Sequence, residues 1–158
     1  MTTMKIMFVC HGNICRSPMA EFIMKKLVQE KGLEDQILIS SSATSTEEIG
    51  NPVYPPARKK LAEYGISCEG KYAVQLKKSD YQKYDLFLVM DDNNLFNICR
   101  IFPSDPEKKI HKLLSYAKRS DSVADPWYTG DFEKAYQDIY TGCTALLEHI
   151  RKGNISHE

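Results

Sequence analysis

Ile6-Met7-Phe8-Val9-Cys10-His11-Gly12-Asn13-Ile14-Cys15-Arg16-Ser17-Pro18 changes character three times within a few residues. Ile6 to Val9 is a continuous apolar run, as expected of a strand buried on both faces of a parallel sheet. Cys10 to Arg16 contain Gly12 and Asn13, two residue types that tolerate positive φ. Ser17 and Pro18 then read as an N-cap and a first-turn proline. Ala20, Ile23, Met24 and Leu27 share one helical face, and Gly32 ends the segment. The order is strand, tight loop, helix.

Working outward, the alternation repeats. Ile37 to Ile39 predict a second strand, and Pro56 to Tyr64 a short helix with Ala57 and Leu61 inward and Gly65 as its stop. Leu86 to Met90 predict a third strand, followed by a helix near Asn93 to Ile101. A fourth strand is expected around Ile110 to Leu114. Phe132, Ala135, Tyr136, Ile139, Cys143, Leu146, Leu147 and Ile150 fit one face of a long final helix. Strands alternating with helices imply an α/β fold: a parallel sheet covered on both faces. No repeat, linker or low-complexity tract interrupts it, so residues 1–158 are expected to form one domain. Ligands bind beyond the carboxyl ends of strands in such sheets, and Cys10, Ser41 and Asp91 each fall at such an end.

Composition narrows the classes of function. The 158 residues are 42% hydrophobic and 27% charged, ordinary for a globular protein. Lys+Arg and Asp+Glu are equal at 21 each, which gives no bulk charge to hold nucleic acid or an anionic membrane. The clusters Arg58-Lys59-Lys60 and Lys108-Lys109 read as solvated faces. No apolar stretch approaches a membrane span, and the run after Lys5 is too short for a signal peptide. A cytoplasmic protein is expected. Five cysteines are an odd count without zinc-finger spacing, and His11, His111, His149 and His157 make no ligand pattern. No metal and no cofactor are expected, so a reactive cysteine is the first chemistry to seek.

The loop supplies one. A cysteine and an arginine enclosing five residues, set between strand and helix, can curl so that backbone N–H groups converge on an anion. The helix N-terminus adds its free N–H groups and positive dipole end. Arg16 can grip two phosphate oxygens with its planar fork. A thiol at the base of such a bowl sits in electropositive surroundings that favour the thiolate, and the Ser17 hydroxyl can donate to it.

A leaving group also needs a proton, and a phosphocysteine then needs an activated water; one carboxyl can serve both in turn. Asp125 stands out because Pro126 fixes the backbone after it and Trp127 and Tyr128 supply aromatic walls. From local sequence alone an Asp-Pro turn explains the same residues.

Phe8-Val9-Cys10, then Gly12 to Glu21, Leu61 to Ile66, Gln75-Leu76, Asp85 to Asp91, Asp125 to Tyr128 and Gly142-Cys143 with Leu146-Leu147 run through nearly the whole chain. Together they resemble the low-molecular-weight protein tyrosine phosphatases. The resemblance implies a four-stranded parallel sheet flanked by helices (phosphotyrosine phosphatase I-like). It implies hydrolysis of phosphotyrosine and small aryl phosphates, with phosphotyrosine-containing proteins as partners and inorganic phosphate as product. Cys10 would be the nucleophile, Arg16 the phosphate ligand and Asp125 the general acid and base. His11, Gly12, Asn13, Ile14, Cys15 and Ser17 would line the phosphate site, with Trp127 and Tyr128 beside the aryl group. Asn13, Ser17 and Ser41 would hold the loop by hydrogen bonds, and Asp91 would support it.

Three departures from the family pattern stand out. Glu47 or Glu48 occupies a place where many relatives carry tryptophan, Ala43 replaces a frequent glycine, and Tyr72 replaces a basic or histidine residue before Gln75-Leu76. Two relatives offer rival activities. Arsenate reductases relay electrons through further cysteines about seven residues apart, whereas Cys68 and Cys99 here are widely spaced. Protein arginine phosphatases typically carry threonine where this chain has Ile14. A non-catalytic redox sensor is a third reading: Cys15 is near enough in sequence to pair with Cys10 under peroxide, or simply to fill space. A pure sensor has no need of Asp125.

Overall fold

In a computed structural model, which describes residues 3–153, the central strand is the one that ends in Cys10. The sheet contains β1 (Met4–Cys10), β2 (Ile37–Ala43), β3 (Leu86–Val89) and β4 (Ile110–Lys112) in the order β2-β1-β3-β4, all parallel. The chain goes first to one side of β1 and then to the other, so a crevice opens at the carboxyl ends of β1 and β3. Cys10 lies on its rim.

Alternation along β1 divides the interior. Ile6, Phe8 and Cys10 point to one face, where α1 (Arg16–Glu30), α2 (Pro55–Glu63) and α5 (Phe132–Arg151) bury Met19, Ile23, Leu61, Ile139, Cys143 and Leu146. Met7 and Val9 point to the other, against Ile98 and Phe102 from the segment of α3 (Asp92–Ile101) and its end. Phe8 is wholly buried, and its truncation to alanine belongs to the class that costs about 3–5 kcal/mol.

β2 runs to Ala43, four residues past the expected end, because its whole length pairs with β1 from Met4↔Ile37 to Cys10↔Ala43. Ser40-Ser41-Ser42 has no strand propensity of its own; pairing supplies what side chains do not. β4 stops at Lys112 and gives way to a 3₁₀ turn over Leu113–Ala117, which packs under α5. There the α-carbon of Gly142 approaches Leu113 so closely that a Cβ would lie 2.6 Å from Leu113 Cγ.

A polar and aromatic seam joins α2 to α5. The Tyr64 ring stacks on Tyr136 at 3.8 Å, and its hydroxyl donates to Glu133, which also receives Lys60 and Gln137.

Candidate active site

The loop from Cys10 to Arg16 is held from outside by its carbonyls. Those of Cys10, His11 and Ile14 accept from the amides of Thr44, Ser45 and Tyr54. Among the described residues, the amides of Gly12 to Ser17 other than those inside α1 donate to no protein acceptor. Carbonyls turned outward and amides left free is the polarity an anion nest requires.

Asn13 fixes the curl. Its backbone is left-handed, with φ 60°. Its side-chain amide donates to Ser17 Oγ at 2.7 Å and Ser41 Oγ at 3.0 Å, while its carbonyl oxygen accepts from the Val74 amide at 3.1 Å. Ser17 Oγ in turn lies 2.9 Å from Cys10 Sγ. Ser41 donates to Glu21 at 2.6 Å, and Glu21 faces Lys25 and Lys71. Asn13, Ser17, Ser41 and Glu21 are all buried, so the bonds among these four are made in a poorly screened setting where an unmatched partner is costly.

The expected cap is corrected here: Cys15 precedes the first turn of α1 and makes no side-chain cap. Ser17 sits inside that turn, with its hydroxyl directed to Cys10 and Asn13 instead. Gly12 does not adopt positive φ; a Cβ there would meet Glu48 Cγ at 3.3 Å, so a larger residue would press that side chain aside by a few tenths of an ångström.

Arg16 lies at the floor with 2% exposure. Nη1 donates to Asp91 Oδ2 and to the Val123 carbonyl, both at 2.7 Å, and Nη2 is 3.4 Å from Asp125 Oδ2. Burial alone would lower the guanidinium pKa, but the facing Cys10, Asp91 and Asp125 outweigh it and raise it. Asp91 also caps α3 by accepting from Asn94 N at 2.7 Å. Asp125 caps a single helical turn, α4 (Pro126–Thr129), accepting from Trp127 N at 3.0 Å. Pro126 at its first position explains why the Asp-Pro pair orders this loop. Cys15 is buried, and burial followed by the charges of Cys10 and Asp125 pushes its thiol well above the ordinary range. All five cysteines are free.

Besides Cys10 and Arg16, the cleft is lined by His11, Gly12, Ile14, Cys15, Glu47, Glu48, Asp125, Trp127 and Tyr128. Trp127 is half exposed and leans on Tyr54, ring centres 4.7 Å apart. Tyr128 is 84% exposed.

The family model for low molecular weight phosphotyrosine protein phosphatases matches residues 5–155. The chain is 40% identical over 149 residues to the low molecular weight protein-tyrosine-phosphatase YfkJ of Bacillus subtilis, covering 93% of this chain and 96% of that one. The chain belongs to the low molecular weight phosphotyrosine protein phosphatase family. The crystal structure of YfkJ superposes with TM-score 0.93 over 97% of this chain and 98% of its own at 39% identity. The enzyme SP-PTP of Streptococcus pyogenes gives 0.85 at 36% identity, covering 99% and 100%. A Drosophila arginine phosphatase gives 0.84 at 29% identity, covering 94% and 98%, so the fold by itself does not separate the two phosphoamino acids. The activity of the chain is that of a protein-tyrosine phosphatase, a hydrolase.

Against this phosphatase frame, every site residue expected from sequence lies within one cleft or directly beneath it. Two supporting groups carry no signal of their own in the sequence. Glu21, at the end of the loop motif, accepts from Ser41 and closes the buried chain behind it. The basic residue expected near position 72 is supplied one place earlier: Lys71 Nζ donates to the Ser41 carbonyl at 2.9 Å and faces Glu21 at 3.6 Å, while Tyr72 is 55% exposed. Burial lowers the Lys71 pKa, against the opposing pull of Glu21. A lysine is long enough to reach Ser41 and Glu21 from the neighbouring position.

Proposed function

We propose that the phosphatase hydrolyses phosphotyrosine in proteins, and small aryl phosphates, through a phosphocysteine on Cys10. The observation that carries this reading is the convergence of Cys10 Sγ, beside Ser17 Oγ at 2.9 Å, with Arg16 and Asp125, whose side chains meet at 3.4 Å. The phosphate dianion sits on the free loop amides with Arg16 across two of its oxygens. Trp127 and Tyr128 flank the aryl ring, and His11, Gly12, Asn13, Ile14, Cys15 and Ser17 surround the phosphate. The thiolate attacks phosphorus in line; the P–O bond breaks as Asp125 gives its proton to the phenolate. Asp125 then takes a proton from water, whose oxygen attacks the phosphocysteine, releasing inorganic phosphate and the thiolate. Ser41 and Asp91 support the loop and Arg16.

Ile14, packed with Cys15 and Ala73, favours the tyrosine branch over the arginine branch, which typically carries threonine there. The whole chain, 1–158, acts as one domain in the cytoplasm, a reading supported by five free cysteines and by a family match over residues 5–155. The test is p-nitrophenyl phosphate turnover in excess chelator. Cys10→Ser is expected to abolish it, and Asp125→Ala to lower kcat by roughly two to four orders of magnitude. Near-normal activity in Cys10→Ser would overturn the assignment.

A further inference from the structure

The cleft mouth is acidic although its substrate is an anion. Among the residues lining it, Arg16 is the one permanent cation; it is 2% exposed and already faces Asp91 and Asp125. At the rim, Glu47 is largely exposed and its carboxylate lies 3.3 Å from His11 Nε2. Glu48 leans over the phosphate loop beside Gly12. Its carboxylate accepts from the neutral amide of Asn51 at 2.8 Å and has no cation within 4.0 Å among the described residues. A negative charge is therefore fixed beside the entrance and left without a counter-ion. The amides and Arg16 at the floor hold the phosphate, but the rim repels any second anion that accompanies it and attracts a cation.

We propose that Glu47 and Glu48 are specificity-determining residues that select phosphotyrosines flanked by lysine or arginine over those flanked by acidic residues. This rests on the reading of the site as a phosphotyrosine site. Glu47 and Glu48 line the same cleft as Trp127 and Tyr128, so a peptide that carries its ring into the cleft brings its adjoining residues near the two carboxylates. Asn51 holds Glu48 in place, and the isosteric Glu48→Gln variant keeps an oxygen for that bond while removing the charge. The effect is electrostatic and solvent-exposed, hence modest and sensitive to salt.

The experiment compares two phosphotyrosyl peptides of one core sequence, flanked either by lysine or by glutamate, with the unmodified enzyme and with Glu47→Gln/Glu48→Gln. The lysine peptide is expected to show about 3- to 10-fold higher kcat/KM at low ionic strength. That ratio should fall toward one in roughly 0.5 M salt and in the double variant. A ratio near one in the unmodified enzyme, or a ratio that survives both substitutions, overturns the proposal. If neither peptide is hydrolysed while p-nitrophenyl phosphate is, the phosphotyrosine reading itself fails, which is a different outcome from equal hydrolysis of both.

Discussion

Asn13 shows what one residue can carry. Its left-handed backbone places the next amides around the loop, and its side chain makes two buried hydrogen bonds, to Ser17 and Ser41, and a part-buried one to the chain at Val74. The two contributions separate by mutation. Asn13→Gly keeps the backbone freedom and loses only the hydrogen bonds; Asn13→Ala loses both. Asn13→Ala is expected to lower unfolding free energy in urea by about 2–4 kcal/mol, and Asn13→Gly by about 1 kcal/mol less than that. Equal losses in the two variants would mean that the backbone conformation contributes nothing. The sequence shows that Asn13 tolerates positive φ, but not what Gly12 faces. That neighbour is Glu48, 36 positions away, whose Cγ would lie 3.3 Å from a Cβ at position 12.

At the scale of elements, periodicity made most of the fold legible. β1, α1, β3 and α5 were visible because burial on defined faces imposes a pattern on their side chains. The serine end of β2 and the 3₁₀ turns were not, since pairing and packing partners decide them rather than their own residues. The same contrast governs Gly142. In isolation, Gly142→Ala should stabilise α5 by about 1 kcal/mol through helix propensity. Packing reverses the sign: the new methyl would meet Leu113 Cγ at 2.6 Å, and Leu113 is fully buried. Forced repacking of this kind costs typically 1–3 kcal/mol. Gly142→Ala is therefore expected to lower the thermal midpoint, with calorimetry as the measurement; a raised midpoint would show that the 3₁₀ turn yields freely. The active-site elements were legible for a further reason. Asp91 and Asp125 each cap a helix while facing Arg16, so one side chain answers a local and a distant demand.

Across the whole molecule, opposite charges balance, and individual ion pairs rather than net charge set the response to acid. Glu133 in the α2–α5 seam is the clearest case. Hydrogen bonds from Tyr64, Gln137 and Lys60 lower its pKa from 4.5 to about 2. A carboxylate whose folded pKa is depressed stabilises the fold above the unfolded value and loses that contribution as pH falls toward the folded one. The stability of the unmodified protein should therefore decline between about pH 4.5 and pH 2, and Glu133→Gln should flatten part of that decline. Urea unfolding at a series of pH values measures it; identical slopes for the two proteins would remove Glu133 from the acid response.

Arg16 and the Val123 carbonyl it grips are 107 positions apart in the sequence. A nascent chain thus displays its nucleophile well before the partner that orients the arginine, and the acid two residues beyond that partner, have been made. Ribosome-bound fragments ending before Val123 should be unable to turn over any phosphate ester, so the cell meets this thiol as an enzyme only after more than a hundred further residues have been added.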